Sequence, residues 1–321
     1  MKRRIFDNKG QLLRVLKFVV ILLSAWLLYK EVVDNQLFQS EVLAIFRGEK
    51  KFVYAWLAPI FILLFVNWAL ETLKWKVLIN EFARPSFLLA YKAILTGVFV
   101  SFFTPNRVGE FAGRVIYLKE KKIEASLLTI AGSLAQNICT YLFGATAALF
   151  FFAREPLEWW MGAVFLAFLF LAVLFLFFNI DRIVIVFRFL KLPKKWLKYF
   201  IPIRHLSASQ LQKTLAYSAI RYVVFSIQFY CMFQALSVPM SAAVALQGVG
   251  LMFLIHSIIP TIAMLEITTR GIAAHYAFQV PPEFDASILF ASYAIWLINL
   301  FLPGMIGAVL FIMNKNKDVD L

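Results

Sequence analysis

The sequence predicts an all-α polytopic membrane protein of about six to eight transmembrane helices, with two re-entrant, broken-helix hairpins arranged as an inverted repeat. Three observations lead there. Hydrophobic residues make up 62% of the 321 residues and charged residues only 16%, whereas soluble domains are roughly half apolar and a quarter charged. Several apolar runs reach the length needed to cross a bilayer, and they are continuous rather than alternating. A chain in lipid must satisfy its own backbone hydrogen bonds, which leaves helices or a closed barrel; continuous runs select helices. Two shorter apolar segments, 87–103 and 242–259, each run into a polar, helix-breaking stretch.

Full crossings are expected at 15–33, 53–78, 124–152, 158–180, 210–236 and 286–313. The whole chain, 1–321, reads as a single integral membrane domain. Its first repeat half spans 53–180, a basic cytoplasmic linker spans 181–209, and its second repeat half spans 210–313. The basic start MKRRIFDNKGQLLRVLK leads into an apolar run without a small-residue cleavage site, so it reads as an uncleaved first helix.

The net charge of +14 does not point to nucleic acid, because the basic residues flank apolar runs. Their placement reports orientation instead. Lys2, Arg3, Arg4, Lys9, Arg14 and Lys17 put the N-terminus in the cytoplasm. The segment 182–204, the loop with Lys119, Lys121 and Lys122, and the tail with Lys315 and Lys317 belong on the same side. The loops 34–49, 153–158 and 280–285 are acidic or mixed and suit the outside. These constraints are met if 87–119 enters and leaves on the cytoplasmic face and 242–280 on the opposite face. Two full crossings in place of each hairpin keep the same parity; the shortness of 87–103 favours hairpins. The stretch RIVIVFRFLKLPKKWLKYFIPIRH either lies along the inner surface, its cations on anionic headgroups, or only sets topology.

The two polar stretches, TPNRVGEFAGR and IIPTIAMLEITTR, resemble each other. Each has a proline, a glutamate five or six residues later (Pro105 to Glu110, Pro260 to Glu266) and an arginine four beyond that, Arg114 or Arg270. At helical spacing Arg107, Glu110 and Arg114 share one face, with Glu110 in reach of both arginines. A charge at the bilayer centre costs roughly 2.5–3.5 kcal/mol, so three need pairing or a wet cavity. Pro105 suits a first helical turn. Gly109 and Gly113, four apart, let another helix or a headgroup approach. Arginines on one face of a helix start suit phosphate, which they bind bidentately. The bland alternative is an interfacial loop whose charges snorkel.

Other polar residues lie within the apolar runs. Asn67 and Glu71 sit four apart; Gln136, Asn137 and Thr140 cluster; Arg221 and Gln228 share a face. Such Asn and Gln residues read first as helix–helix contacts, Glu71 as interfacial beside Lys74 and Lys76, and Arg221 as able to snorkel. Cys139 and Cys231 sit in apolar runs and suggest no disulfide framework. His205, His256 and His275 lack metal spacing. No nucleophile–base pair, paired carboxylate or phosphate-binding loop stands out, so no catalytic residue, metal or cofactor is expected.

The run PNRVGEFAGRVIYLKEKKIEAS resembles the signature of the flippase-like, lysylphosphatidylglycerol synthase transmembrane family, P-x-R-x-G-E-x-x-R before a helix and a basic turn. Pro105, Arg107, Gly109 and Glu110 occupy its positions, with Arg114 one place later than the strict spacing. LKWKVLINEF is similar to the family's Arg-Trp-x-x-Leu-Leu element, with Lys74 and Trp75 in its place. Pro260 and Glu266 stand at the ends of the second-half element, whose glycines are replaced here by Thr-Ile-Ala-Met-Leu. Gln136 stands where members often carry an acid.

The resemblance implies movement of a lipid between leaflets. In the family's best-known members the membrane part handles an aminoacylated lipid that a separate soluble domain makes, and that transferase domain is not expected in this chain. The function expected is therefore a flippase or transporter of a phosphate-headgroup lipid, an aminoacyl-phospholipid or lipid-linked precursor, in a bacterial inner membrane. Arg107, Glu110, Arg114, Glu266 and Arg270 would bind substrate, and a separate lipid-modifying enzyme is a possible partner. A membrane enzyme or a scaffold for envelope-precursor enzymes is the alternative.

Overall fold

A computed structural model describes residues 36–48, 51–104, 106–182, 201–259, 266–278 and 280–315. The expected crossing at 15–33, most of the 181–209 linker, Pro105 and Pro260 lie outside these residues. Every regular element among the described residues is helical. Four helical stretches are long and apolar enough to cross a membrane: Tyr54–Ile79, Lys122–Phe152, Pro156–Phe178 and Pro282–Asn314.

Helix α1, Gln36–Phe46, forms where an external loop was expected. It packs on a helix near the other end of the chain, and Ser287 donates to the buried carboxylate of Glu41 at 2.5 Å. Helix α2, Leu57–Ile79, follows and buries its polar Asn67, Glu71 and Lys74. Helix α3, Phe87–Ser101, starts at Ser86, whose hydroxyl accepts from the Leu89 N–H. Its 15 residues rise only about 22 Å, short of a roughly 30 Å hydrocarbon core. A turn brings the chain back as the short α4, Gly109–Arg114, lying against α3.

Helix α5, Lys122–Phe152, and helix α6, Pro156–Phe178, complete the first half. A capping box of Glu155 and Glu158, with Pro156 inside the first turn, starts α6. Helix α7, Ala208–Ala235, opens the second half on a Ser207–Gln210 capping box. Its 28 residues are long enough to cross, but it is too polar to count among the four apolar stretches. The protein buries those polar groups: Gln228 donates to the Ile60 carbonyl at 2.9 Å. Then come α8, Ala242–Ile258, and α9, Glu266–Ala277. Helix α10, Asp285–Trp296, continues through a π-helical turn, Leu297–Phe301, into α11, Leu302–Lys315.

The packing of the two halves is reciprocal. Helices α2 and α7, the first of each half, lie against each other. The long arm of each short-helix pair packs on a later helix of the opposite half, α3 on α11 and α8 on α5. Small residues allow both approaches. A Cβ at Gly144 of α5 would stand 3.0 Å from the Gly250 carbonyl oxygen of α8, and one at Gly307 of α11 would stand 2.0 Å from the Leu95 carbonyl oxygen of α3. Two apolar cores result, one around α2, α3 and α5, the other around α7, α8 and α10.

Candidate functional site

Glu71, four turns into α2, is the hub of a buried charge network. Its carboxylate meets Lys74 Nζ at 2.7 Å, Arg114 Nη2 at 2.7 Å and the guanidinium of Arg221. The side chains of Glu71 and Arg114 are each 4% exposed and that of Lys74 is 2% exposed. This corrects the expectation of an interfacial Glu71. Arg221 does not snorkel either: its Nε donates to Asn67 Oδ1 at 2.9 Å and its Nη1 to Gln136 Oε1 at 3.3 Å. The guanidinium lies 5.6 Å from the Trp68 ring centroid.

The turn after α3 delivers the first predicted residues. Thr104 Oγ1 accepts from the Gly109 N–H at 2.7 Å and so ties the start of α4 to the end of α3. Asn106 and Arg107 take left-handed backbone angles, with φ of 49° and 59°. Such positions in a non-glycine residue are uncommon and concentrate at functional sites. Arg107 therefore precedes the helix rather than belonging to one face of it, which corrects the helical-spacing reading. Glu110 nevertheless reaches both arginines: it pairs with Arg114 and lies 3.7 Å from Arg107 Nη2. Because α4 begins at Gly109 and has only six residues, the anion argument rests on side chains and not on a helix end. Gly109 and Gly113 both face α3; a Cβ at Gly113 would be 2.6 Å from Gly97 Cα. The close approach they allow is to a helix.

The second half supplies the facing group. Glu266 Oε2 lies 3.4 Å from Arg270 Nη2 and 4.0 Å from His256 Nε2. His256 Nδ1 is 3.1 Å from Thr269 Oγ1. The Arg270 guanidinium lies near two rings, 5.5 Å from Phe253 and 6.0 Å from Phe225. The spacing of this pair repeats that of the first: Glu110 and Glu266, like Arg114 and Arg270, stand 156 residues apart.

All five residues expected to bind substrate, Arg107, Glu110, Arg114, Glu266 and Arg270, line one cavity of about 640 Å³ between the halves. Glu71, Lys74, Asn67, Gln136 and Arg221 line it too. Sequence reasoning noticed these polar residues but not their joint role, since contacts such as Arg221 to Glu71 span 150 residues. The available signal was an acid and an arginine at matching depth in α2 and α7, the first helices of the two halves.

The sequence matches the family described as the lysylphosphatidylglycerol synthase TM region over residues 14–313. The chain belongs to that family. Its membership makes this an integral membrane protein of a lipid-related family, in keeping with the long apolar helices. No curated protein and no solved structure matches the chain significantly.

Proposed function

We propose that this lysylphosphatidylglycerol synthase TM-region family member is a lipid transporter, moving a lipid with a phosphate-bearing headgroup between the leaflets of a bacterial inner membrane. One observation carries the reading: charged motifs 156 residues apart in the chain meet at a single cavity whose charged side chains are mostly buried. Buried charges within a membrane protein are expensive and mark substrate or ion paths. Short helices converging near the middle from two halves are a common transporter plan. Arg107, Arg114 and Arg270 hold the phosphate, and Glu110 and Glu266 orient them.

In this reading the two short-helix pairs are re-entrant, enter from opposite faces and form an inverted repeat, with the termini in the cytoplasm. Rocking one half against the other would expose the cavity to each leaflet in turn. The chain is a carrier and not an enzyme, and a separate protein modifies the lipid.

The test is transbilayer movement of a labelled phosphate-headgroup lipid in proteoliposomes. The wild type should accelerate it, and Glu110→Gln and Arg114→Ala should abolish the acceleration. Arg107→Ala, at the partly exposed mouth, guards against misfolding and should also be slow. Normal movement by all three variants would remove the site. Turnover of the lipid into a new chemical species would favour an enzyme.

A further inference from the structure

The charge balance of the cavity says more about the cargo than the family's name does. Its lining holds three carboxylates, Glu71, Glu110 and Glu266, and five cations, Lys74, Arg107, Arg114, Arg221 and Arg270. Among these eight groups two positive charges are in surplus. Each carboxylate already has a cation partner inside the protein: Glu71 has three, Glu110 has two and Glu266 has Arg270. A substrate amine would have to displace one of these ion pairs to find an acceptor.

The lining's free hydrogen-bonding capacity has the opposite character. Trp68 Nε1, Arg107 Nε, Arg114 Nε, Arg270 Nε and the Tyr222 hydroxyl are buried atoms without a protein partner, and all belong to residues lining this cavity. Four of the five can only donate. Buried donors demand acceptors, at a cost of about 1–3 kcal/mol each when unmet. A phosphate monoester offers three terminal oxygens and about two negative charges, matching the surplus charge and a lining rich in guanidinium groups. A phosphodiester offers one negative charge, and its aminoacyl esters are net neutral or, for lysyl, net positive. The Arg270 guanidinium lies 5.5 Å from the Phe253 ring centroid and 6.0 Å from that of Phe225, a cation–π environment that leaves its hydrogen-bonding edge to acceptors.

We infer that the cargo is a lipid ending in a terminal phosphate, a monoester or diphosphate without an amine, and not an aminoacylated phospholipid. This inference rests on the lipid-transport reading above and narrows it.

Competition binding on the purified full-length protein in nanodiscs, followed by native mass spectrometry, tests it. The probes are phosphatidic acid, phosphatidylglycerol and lysyl-phosphatidylglycerol with identical acyl chains. Phosphatidic acid should bind about tenfold more tightly than phosphatidylglycerol and lysyl-phosphatidylglycerol should bind weakest. Arg107→Gln, at the mouth, should lower affinity for phosphatidic acid more than for phosphatidylglycerol. Preference for the aminoacyl lipid, or equal binding of monoester and diester, would overturn the terminal-phosphate assignment and leave a lipid site standing. Binding of no probe above the bulk scaffold lipid would overturn the transport reading as well.

Discussion

Arg221 of α7 donates to Glu71 of α2 across the contact between the first helices of the two halves, 150 residues apart in sequence. The pair does not stand alone. Glu71 also holds Lys74 from its own helix and Arg114 from the neighbouring short helix, while Arg221 is held by Asn67 and Gln136. A single carboxylate thus ties together three helices, α2, α4 and α7, at the wall of the cavity, and Arg221 extends the network to Gln136 of α5. A buried ion that loses its partner is costly, whereas the intact network contributes position more than net stability.

Glu71→Gln is accordingly expected to destabilise the protein by about 3–5 kcal/mol, because it leaves buried cations uncompensated. Thermal unfolding in detergent would read this as a marked fall in Tm. Adding Arg221→Gln to Glu71→Gln should recover part of the loss, with a coupling of about 1–3 kcal/mol. Strictly additive effects would mean that the two side chains do not share an interaction.

Glycine positions separate backbone contacts from soft ones. A methyl group at Gly113 would run into the backbone of α3, 2.6 Å from Gly97 Cα, whereas one at Gly162 would meet only the end of the Leu149 side chain. Gly113→Ala should therefore cost about 1–3 kcal/mol and Gly162→Ala little. Equal Tm values for both variants would contradict the close seating of α4 on α3.

Orientation is open to a labelling experiment. Cys139 and Cys231 are buried and can be replaced to give a quiet background. A cysteine at 120 should then react only from the cytoplasmic side and one at 282 only from outside. Reaction of both from the same side would rule out opposed entry of the two short-helix pairs.

Arg270 tests whether guanidinium geometry matters beyond charge. It sits near the Phe225 and Phe253 rings while pairing with Glu266. Lysine keeps the charge but neither stacks as a plane nor binds phosphate bidentately. Arg270→Lys should therefore weaken phosphatidic acid binding by about tenfold, measured in the same nanodisc competition. Wild-type affinity would show that a point charge suffices there.

Much of the architecture was legible from residue order. The apolar runs marked the helices at 53–78, 124–152, 158–180 and 286–313 to within a few residues, because hydrocarbon tolerates only long stretches of internally bonded backbone. The motif around Glu110 and the family resemblance were legible for the same local reason: their residues are neighbours in the chain. Helix α1 was not, since 34–49 reads as an external loop of mixed charge, whereas the helix packs on α10. Arg107 escaped as well, because a left-handed turn at 106–107 interrupts the helical spacing.

Sequence alone determined that this is a helical membrane protein of its family and that two similar charged motifs break its short helices. Periodicity, hydropathy and adjacency are properties of a chain, and they need no partner to be read. Only the tertiary structure decided that these motifs share a cavity, that Glu71 is the hub, and that the surplus is positive. Those facts depend on which helices pack together, and the seating of α2 against α7 is what brings Arg221 and Glu71, 150 residues apart, within hydrogen-bonding reach.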